Sequence, residues 1–355
     1  MKHSIIVGFG LAGFHYARQL KSHNKDFLII DTSQNSASRN AAGICNPTVL
    51  KRYTMAWKGA EFLKYAMPKY QDFEADFKTQ VFHSLPIQRY FFSAGEQNSW
   101  SVASQEDGLK EFLDPIFQTN SLEGIKRNFG YGTVHNVGRL AINELLETFL
   151  THLNTDQKLE STFDYTSLKI HDDKVSYKGV EAKNIVFCEG YGLKENPWFN
   201  YLPLIGSKGE YLKIKAAELS KEQIIKGGIF ISPIEKDLFW VGATFNRDDK
   251  SNSTSEKGLQ WILSKLETFI DCPFEIVHHG AQIRPTVSDR RPLLGNHPLH
   301  NNLYVFNGLG TRGVLMAPLL SCWLYEFIDF KKELPDAVAI NRFETYFCNP
   351  IRTYV

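Results

Sequence analysis

The stretch Ser4-Ile5-Ile6-Val7-Gly8-Phe9-Gly10-Leu11-Ala12-Gly13, followed by Phe27-Leu28-Ile29-Ile30-Asp31, decides how the rest of the chain is read. Two short apolar runs rich in β-branched residues flank a segment, Leu11 to Leu20, of helical spacing. Continuous hydrophobicity marks strands buried on both faces of a parallel sheet, and a parallel pair needs a crossover helix. The spacing therefore predicts β-α-β over the first 31 residues. Gly8, Gly10 and Gly13 form a Gly-x-Gly-x-x-Gly pattern at the strand-to-helix turn. Gly8 permits the tight turn, Gly10 lets backbone approach a pyrophosphate, and Gly13 lets helix pack on strand. The helix start at Leu11 and Ala12 faces the phosphate charge. Asp31, with Thr32 after it, ends the second strand where a carboxylate accepts hydrogen bonds from a ribose. An ordinary turn also uses glycine, but the strand before, the helix after and the acid at this distance favour a dinucleotide. A carboxylate here disfavours NADP; it does not separate NAD from FAD.

At 355 residues the chain exceeds a typical domain, so two associated lobes are expected. Hydrophobic residues at 43% and charged ones at 22% place it among soluble globular proteins and exclude disordered and fibrous classes. Lys and Arg number 40 against 39 Asp and Glu, which lacks the electrostatic footprint of a dedicated nucleic-acid binder. The five cysteines, Cys45, Cys188, Cys272, Cys322 and Cys348, form no CxxC pair, which argues against a disulfide framework and a zinc site and fits a reducing cytoplasm. The N-terminus runs straight into the first strand without a leader pattern. Gly313 to Ile328 is shorter than the roughly 20 residues of a membrane span and contains Pro318 and Glu326, so it reads as a buried helix.

Residues 55–136 read as a different lobe, with aromatic-rich helices and a possible strand at Tyr90-Phe91-Phe92. Helical spacing returns over Gly138 to Leu153, and Asn184 to Cys188 is a further buried strand. Between Pro203 and Gln282, strand-like runs at Glu210–Ile214, Gly228–Ser232, Phe239–Gly242 and Glu275–Gln282 suggest a largely antiparallel sheet, with a helix near Glu256 to Phe269. Leu303 to Phe306 is the last strand before the apolar helix. The expected architecture is α/β with α+β character. A discontinuous Rossmann-like nucleotide-binding domain (1–54, 137–202 and 283–355) is interleaved with a second domain (55–136 and 203–282) on a mostly antiparallel sheet.

Three further segments accompany the first motif. Ser36 to Pro47, including Arg39, Ala41, Ala42, Gly43 and Ile44, is a small-residue stretch where bulk would obstruct backbone approach to a ligand. Gly308-Leu309-Gly310-Thr311-Arg312-Gly313-Val314 is a second glycine-rich helix entry that aims amide N–H groups at an electron-rich edge. Gly280-Ala281-Gln282-Ile283-Arg284-Pro285 precedes Asp289 and Pro292-Leu293-Leu294-Gly295.

In order and spacing this set resembles the FAD-dependent oxidoreductase superfamily that includes glycine oxidase, sarcosine oxidase and D-amino-acid oxidase. The resemblance covers nearly the whole chain. It implies non-covalent FAD, its ADP part held by the first glycine loop and Asp31, with Ala41-Ala42-Gly43 beside the flavin. Ile185 to Gly192, with Gly190, matches a second nucleotide-contacting turn, and Gly308 to Leu315 matches a flavin cradle. Arg284 matches an arginine that grips a substrate carboxylate, with the active site where the two lobes meet. Arg312 either shapes its glycine turn or neutralises reduced flavin. The implied reaction is oxidation of the C–N bond of an amine or amino acid by hydride transfer to flavin N5, with Arg284 orienting the substrate. If the amine binds neutral, no strong protein base is required.

Two finer resemblances diverge on substrate. Lys208-Gly209-Glu210 and Phe230-Ile231-Ser232-Pro233 with Val241-Gly242-Ala243-Thr244 are similar to glycine oxidase, but Phe230 stands where a carboxylate-binding tyrosine is expected. Gly43 to Pro47 and Leu309 to Gly313 with Ala317-Pro318 look more like the FAD domain of the bifunctional enzyme making 5-methylaminomethyl-2-thiouridine in tRNA, which removes a carboxymethyl group from an amine. The near-neutral charge gives tRNA no independent support as a partner. Other classes compatible with the first motif are an NAD-dependent dehydrogenase and a non-catalytic FAD-binding protein. Cys45 reads as a buried small residue. His278-His279 are strand neighbours on opposite faces and suggest no metal. Tyr53, Trp57 and Tyr90 either line a substrate pocket or belong to the core.

Overall fold

Lys2–Val7 pairs in parallel with Phe27–Asp31 on one side and Val180–Phe187 on the other, and Leu11–Ser22 is the helix between the first two strands. The computed structural model describes residues 1–32, 36–120, 122–126 and 129–348. The terminal part of the last expected segment, 349–355, lies outside the described residues, as do 121, 127 and 128 in the second expected lobe. The chain divides into two compact units: residues 1–39, 142–207 and 283–355 form one, and residues 40–141 and 208–282 the other.

The first unit is built on an eight-stranded sheet. Lys158–Glu160 extends it in parallel beside Phe27–Asp31. On the far side of Val180–Phe187, His300–Asn307 pairs in parallel with residues 185–187 while Val175–Tyr177 pairs antiparallel with 180–182. Ile5, Val7, Leu28, Ile30, Ile185, Phe187, Leu303 and Val305 pack on one face with Phe199 and Leu202. Ile6, Ile29, Val186 and Phe306, alternate along the same strands, are also buried. Burial of both faces explains the continuous apolar runs. The helix Gly313–Phe330 is long and apolar enough to cross a membrane by composition, yet Leu315, Ala317, Leu320 and Leu324 are fully buried, as in a core helix. Its C-terminal Asp329 accepts from His3 at 2.7 Å and pairs with Lys25, tying the helix to the first strand.

The second unit carries a seven-stranded sheet in the order Glu275–Arg284, Ser207–Lys215, Leu238–Gly242, Phe230–Pro233, Ile224–Lys226, Ile87–Tyr90, Tyr131–Val134. From Ser207–Lys215 onward the pairs are antiparallel except Ile224–Lys226 with Ile87–Tyr90, which is parallel. One face, with Leu212, Ile214, Ile225, Ile231, Phe239 and Val241, buries its side chains against Ile262, Leu266 and Phe269. Glu210 fixes the helix Glu256–Leu266 to this sheet. Its carboxylate accepts the Ser255 amide (2.8 Å), the Ser255 hydroxyl (2.7 Å) and His279 Nε2 (3.0 Å). Ser255 in turn caps the helix through the Gly258 amide.

Local pairing revises several expectations. Gly138–Leu140 is a strand against Ile44–Cys45 and Phe82–Ser84, and the helix begins only at Ile142. Residues 40–54 group with the second unit because Ile44–Cys45 pairs there and Thr48–Val49 forms a hairpin with Thr54–Met55. Residues 203–207 group with the first because Leu204 bridges Val287 and the Ile205 amide reaches Thr286 O at 2.8 Å. The strand placed at Tyr90-Phe91-Phe92 ends at Tyr90.

Glu210 gathers three donors in a buried position, so its removal strands all of them. Glu210→Leu is expected to lower the unfolding free energy by about 3–5 kcal/mol, read as an earlier urea midpoint; an unshifted midpoint would refute this account of the helix anchor.

Candidate functional site

The geometry of the first glycine loop follows from backbone crowding. Gly8 has φ +92°, and a Cβ there would lie 2.6 Å from Cys188 O. A Cβ on Gly13 would collide with the Gly8 carbonyl oxygen, so the helix rests directly on the turn. The Gly8 amide donates to Ile30 O (2.9 Å) and the Cys188 amide to Val7 O (2.7 Å), locking the loop between both neighbouring strands. Asp31 Oδ1 accepts the Phe9 amide at 3.1 Å, so this carboxylate holds the loop from the next strand. The helix start carries no acidic side chain in its first turn, which leaves its positive end suited to a phosphate. Ser38 supplies the cap: its Oγ accepts the Leu11 amide at 3.1 Å and leaves no room for a Cβ on Gly10.

Arg39 ion-pairs with Glu147 at 2.5 Å through Nη1, while its buried Nη2 has no hydrogen-bond partner among the described residues. Gly190 and Gly310, at φ +56° and +55°, open onto space: a Cβ on Gly190 would meet nothing within 4 Å, and one on Gly310 only Thr286 Cγ2 at 4.0 Å. An orphaned buried donor, two open left-handed glycines and an unneutralised helix N-terminus all fit an extended anionic dinucleotide. The residues suited to hold it are Gly8, Gly10, Leu11, Ala12, Gly13, Asp31, Thr32, Arg39, Gly190, Gly308, Gly310, Thr311, Arg312, Gly313 and Val314, all in the first unit.

The two helix entries are packed together, since a Cβ on Gly313 would fall 3.0 Å from Leu11 Cδ1. Arg312 is the residue before the helix Gly313–Phe330, and burial lowers its pKa. Arg284 ends the strand Glu275–Arg284; the adjacent Pro285 O accepts the Gly310 amide at 3.1 Å, so Arg284 is held beside the second glycine loop. Its guanidinium is largely buried, which brings its pKa down to about 10 and leaves it cationic at neutral pH.

Ala41, Ala42, Gly43 and Ile44 lie in the second unit. At Gly43, φ +76°, the obstacle to a side chain is the Leu140 carbonyl, whose residue also donates its amide to Gly43 O at 2.8 Å. Packing alone therefore requires glycine at this position. His279 is bound to Glu210, and His278 Nε2 lies 3.3 Å from the Tyr211 hydroxyl.

Three residues of the first unit were not foreseen. Ser38 is one. Asn307 is buried and joins the other two loops, donating Nδ2 to Gly190 O (2.9 Å) and accepting the Gly308 amide (2.7 Å). Glu189, beside Gly190, accepts from the Tyr165 hydroxyl (2.5 Å) and Asn196 Nδ2 (2.8 Å), and burial pushes its carboxyl up to about 7. Its only sequence signal was an acid at the end of an apolar strand.

A family model described as FAD dependent oxidoreductase matches residues 3–326. The bifunctional tRNA 5-methylaminomethyl-2-thiouridine biosynthesis protein of Acinetobacter baylyi is 24% identical over 342 residues, covering 90% of this chain and 52% of that protein. The chain thus spans about half the length of the curated relatives of this kind that it matches along most of its length. Glycine oxidase from Geobacillus kaustophilus superposes with a TM-score of 0.78 at 16% identity, covering 96% of this chain and 97% of that one. Iminodiacetate oxidase from Chelativorans sp. BNC1 gives 0.75 at 16% identity, covering 96% and 98%.

Two measurements test this site. Gly13→Val is expected to abolish cofactor retention, read as loss of flavin absorbance from the purified protein; full flavin content would refute the role of the Gly8–Gly13 contact. For Glu189, the unfolded chain releases its proton near the ordinary 4.5 while the folded chain holds it to about 7. Stability therefore falls as pH rises between those values. Relative to wild type, Glu189→Gln should gain up to about 3 kcal/mol between pH 4.5 and 7.5; parallel unfolding curves at both pH values would contradict this.

Proposed function

The chain belongs to the FAD-dependent oxidoreductase family, and from that premise we propose that it oxidises the C–N bond of an amine or amino acid whose carboxylate is held by Arg284. The observation that carries this reading is a largely buried arginine whose chain neighbour, Pro285, accepts the Gly310 amide, which sets Arg284 in the chain next to the second glycine loop. Burying a cation costs solvation free energy that a bound carboxylate offsets, and the planar fork of arginine sets the carboxylate's orientation as well as its position. Orientation matters because the α-carbon must present its hydrogen within a narrow range of distance and angle. FAD, when bound, supplies the oxidising power by accepting a hydride at the flavin.

The chain's own residues supply the rest. The first loop and Asp31 hold the adenosine end, the positive end of the helix Leu11–Ser22 faces the pyrophosphate, and Arg39 brings a donor still to be satisfied. Gly308 to Val314 suits the flavin end, where Arg312 adds positive charge that favours the reduced, anionic form. Substrates similar to those of the named relatives are the first candidates: glycine for glycine oxidase, iminodiacetate for iminodiacetate oxidase. A substrate attached to tRNA is the second reading, favoured by the match to the tRNA-modifying protein and given no added weight by a net charge of +1. The five free cysteines agree with a cytoplasmic setting.

Arg284→Ala should leave flavin bound and cut kcat/KM for the carboxylate-bearing amine roughly a hundredfold or more, about 3 kcal/mol. Anaerobic bleaching of bound flavin by glycine, sarcosine, D-amino acids, proline and carboxymethylated amines identifies the substrate. Unchanged turnover in the variant would remove Arg284 from this role.

A further inference from the structure

The second unit's sheet has one apolar face and one that is not. Directly paired residues share a face, and the registers Tyr211↔Gly242, Gly242↔Phe230, Phe230↔Lys226, Lys226↔Arg89 draw one row across five strands. That row, opposite the apolar core, ends in two cations on neighbouring strands. Arg89, 6% exposed, gives its guanidinium to Leu50 O, Tyr90 O and Glu96 Oε1, the last at 3.0 Å. The Tyr53 ring lies 5.7 Å from the Arg89 guanidinium carbon, and the buried Tyr53 hydroxyl has no hydrogen-bond partner among the described residues. Lys226 is half-buried. Its Nζ lies 4.7 Å above the Phe230 ring and donates to the carbonyls of Gly227 (3.0 Å) and Gly228 (3.4 Å); among the described residues no carboxylate pairs with it.

The charges that act on Lys226 are Arg89 and Lys51, which repel it, and Glu96, whose Oε1 Arg89 already engages. All of these residues, and Phe230, belong to the second unit. An uncharged amine has two N–H bonds for the two carbonyls, which leaves its lone pair uncommitted. Burial, and after it the repulsion, lowers the ammonium's pKa to about 8. At pH 7 roughly a tenth of the side chain is then uncharged, against well under one part in a thousand for an ordinary lysine.

We infer that Lys226 is a reactive amine of the second unit that condenses with a small aldehyde or keto acid bearing a carboxylate. The Nζ lone pair attacks the carbonyl carbon, the carbonyl oxygen leaves as water with both amine hydrogens, and a C=N bond remains. Nothing is oxidised or reduced. A lysine is activated for this chemistry by desolvation beside other cations, which is how Lys226 stands beside Arg89. The same cations select the acid group. The imine nitrogen takes up a proton, and a carboxylate on the adduct offsets the positive charge that Glu96 leaves uncompensated. Phe230, where a tyrosine is expected, offers the amine a ring face and no hydroxyl to occupy its lone pair. The inference goes beyond the amine-oxidising reading and does not depend on it.

The test treats the FAD-loaded protein with limiting glyoxylate and cyanoborohydride, which reduces an imine to a stable carboxymethyl amine, and maps the product by peptide mass spectrometry. At pH 7 Lys226 should be labelled at least tenfold faster than the exposed Lys257. The ratio of the two rates should fall as pH rises to 9.5, because Lys226 is then already uncharged and Lys257 is still losing its proton. Glycolaldehyde, which lacks the acid, should prefer Lys226 less. Lys51→Met, an exposed change, should narrow the difference between the two aldehydes at an unaltered melting temperature. Lys226→Arg keeps the charge and should remove the fast site. Equal labelling of Lys226 and Lys257, a ratio indifferent to pH, or an equal preference with glycolaldehyde overturns the inference. So does fast labelling of Lys226 that persists in urea, since it would arise from the local sequence and not from the fold.

Discussion

The first unit depends on the backbone of Gly13 lying against the carbonyl of Gly8. No side chain fits between them, so the helix Leu11–Ser22 meets its strand at the turn itself and its amides point past it. The consequences are mechanical. The Gly8 amide can then reach Ile30 O, the Phe9 amide can reach Asp31, and the strand Val180–Phe187 can close the other side through Cys188 and Val7 O. A wider seat would lengthen all three hydrogen bonds together. The shape of this helix entry therefore follows from close packing, and residues distant in sequence share in setting it.

That packing reaches the other two loops through Asn307. Its amide spans Gly190, at the start of a short 3-10 helix, and Gly308, both left-handed. Glycines at positive φ pay a larger conformational entropy on ordering than other residues, and one buried side chain that binds both loops offsets part of it. Glu189, Tyr165 and Asn196 restrain the Gly190 side in the same way. The cofactor loops are thus flexible by composition and rigid by their neighbours, as a site that must position a reacting carbon requires.

The first strands, the glycine loop and the strand ending in Arg284 were legible because their signals are local: continuous apolar runs, glycines at fixed offsets, an acid at a strand end. The apolar helix was legible as a buried element because Pro318 and Glu326 interrupt its apolar run; its length, 18 residues in the structure, does not separate it from a bilayer span. Gly138–Leu140 was misread as helix because a three-residue strand carries almost no period, and its pairing with Ile44–Cys45 and Phe82–Ser84 is set by residues far away. Ser38 and Asn307 stayed hidden because their work is a single hydrogen bond to a distant backbone. Gly43 was read as making room for a ligand and the structure shows the Leu140 carbonyl against it, so a glycine reports crowding without naming everything that crowds it. Tyr53 was indistinguishable in sequence from a core aromatic, and only its unsatisfied hydroxyl separates it.

The energetics of the buried cations point one way. Lys226 in the second unit loses solvation on folding, and burial together with the repulsion of Arg89 and Lys51 lowers its pKa. A structural ion pair would recover the loss within the chain, as Glu210 does through Ser255 and His279. Among the described residues Lys226 meets two carbonyls and the Phe230 ring, and it stands next to a second cation already committed to Glu96. Left so, it lowers the stability of the ligand-free protein, and a marginally stable fold tolerates only a few such costs. Replacing lysine by an apolar residue over Phe230 would remove the cost at once.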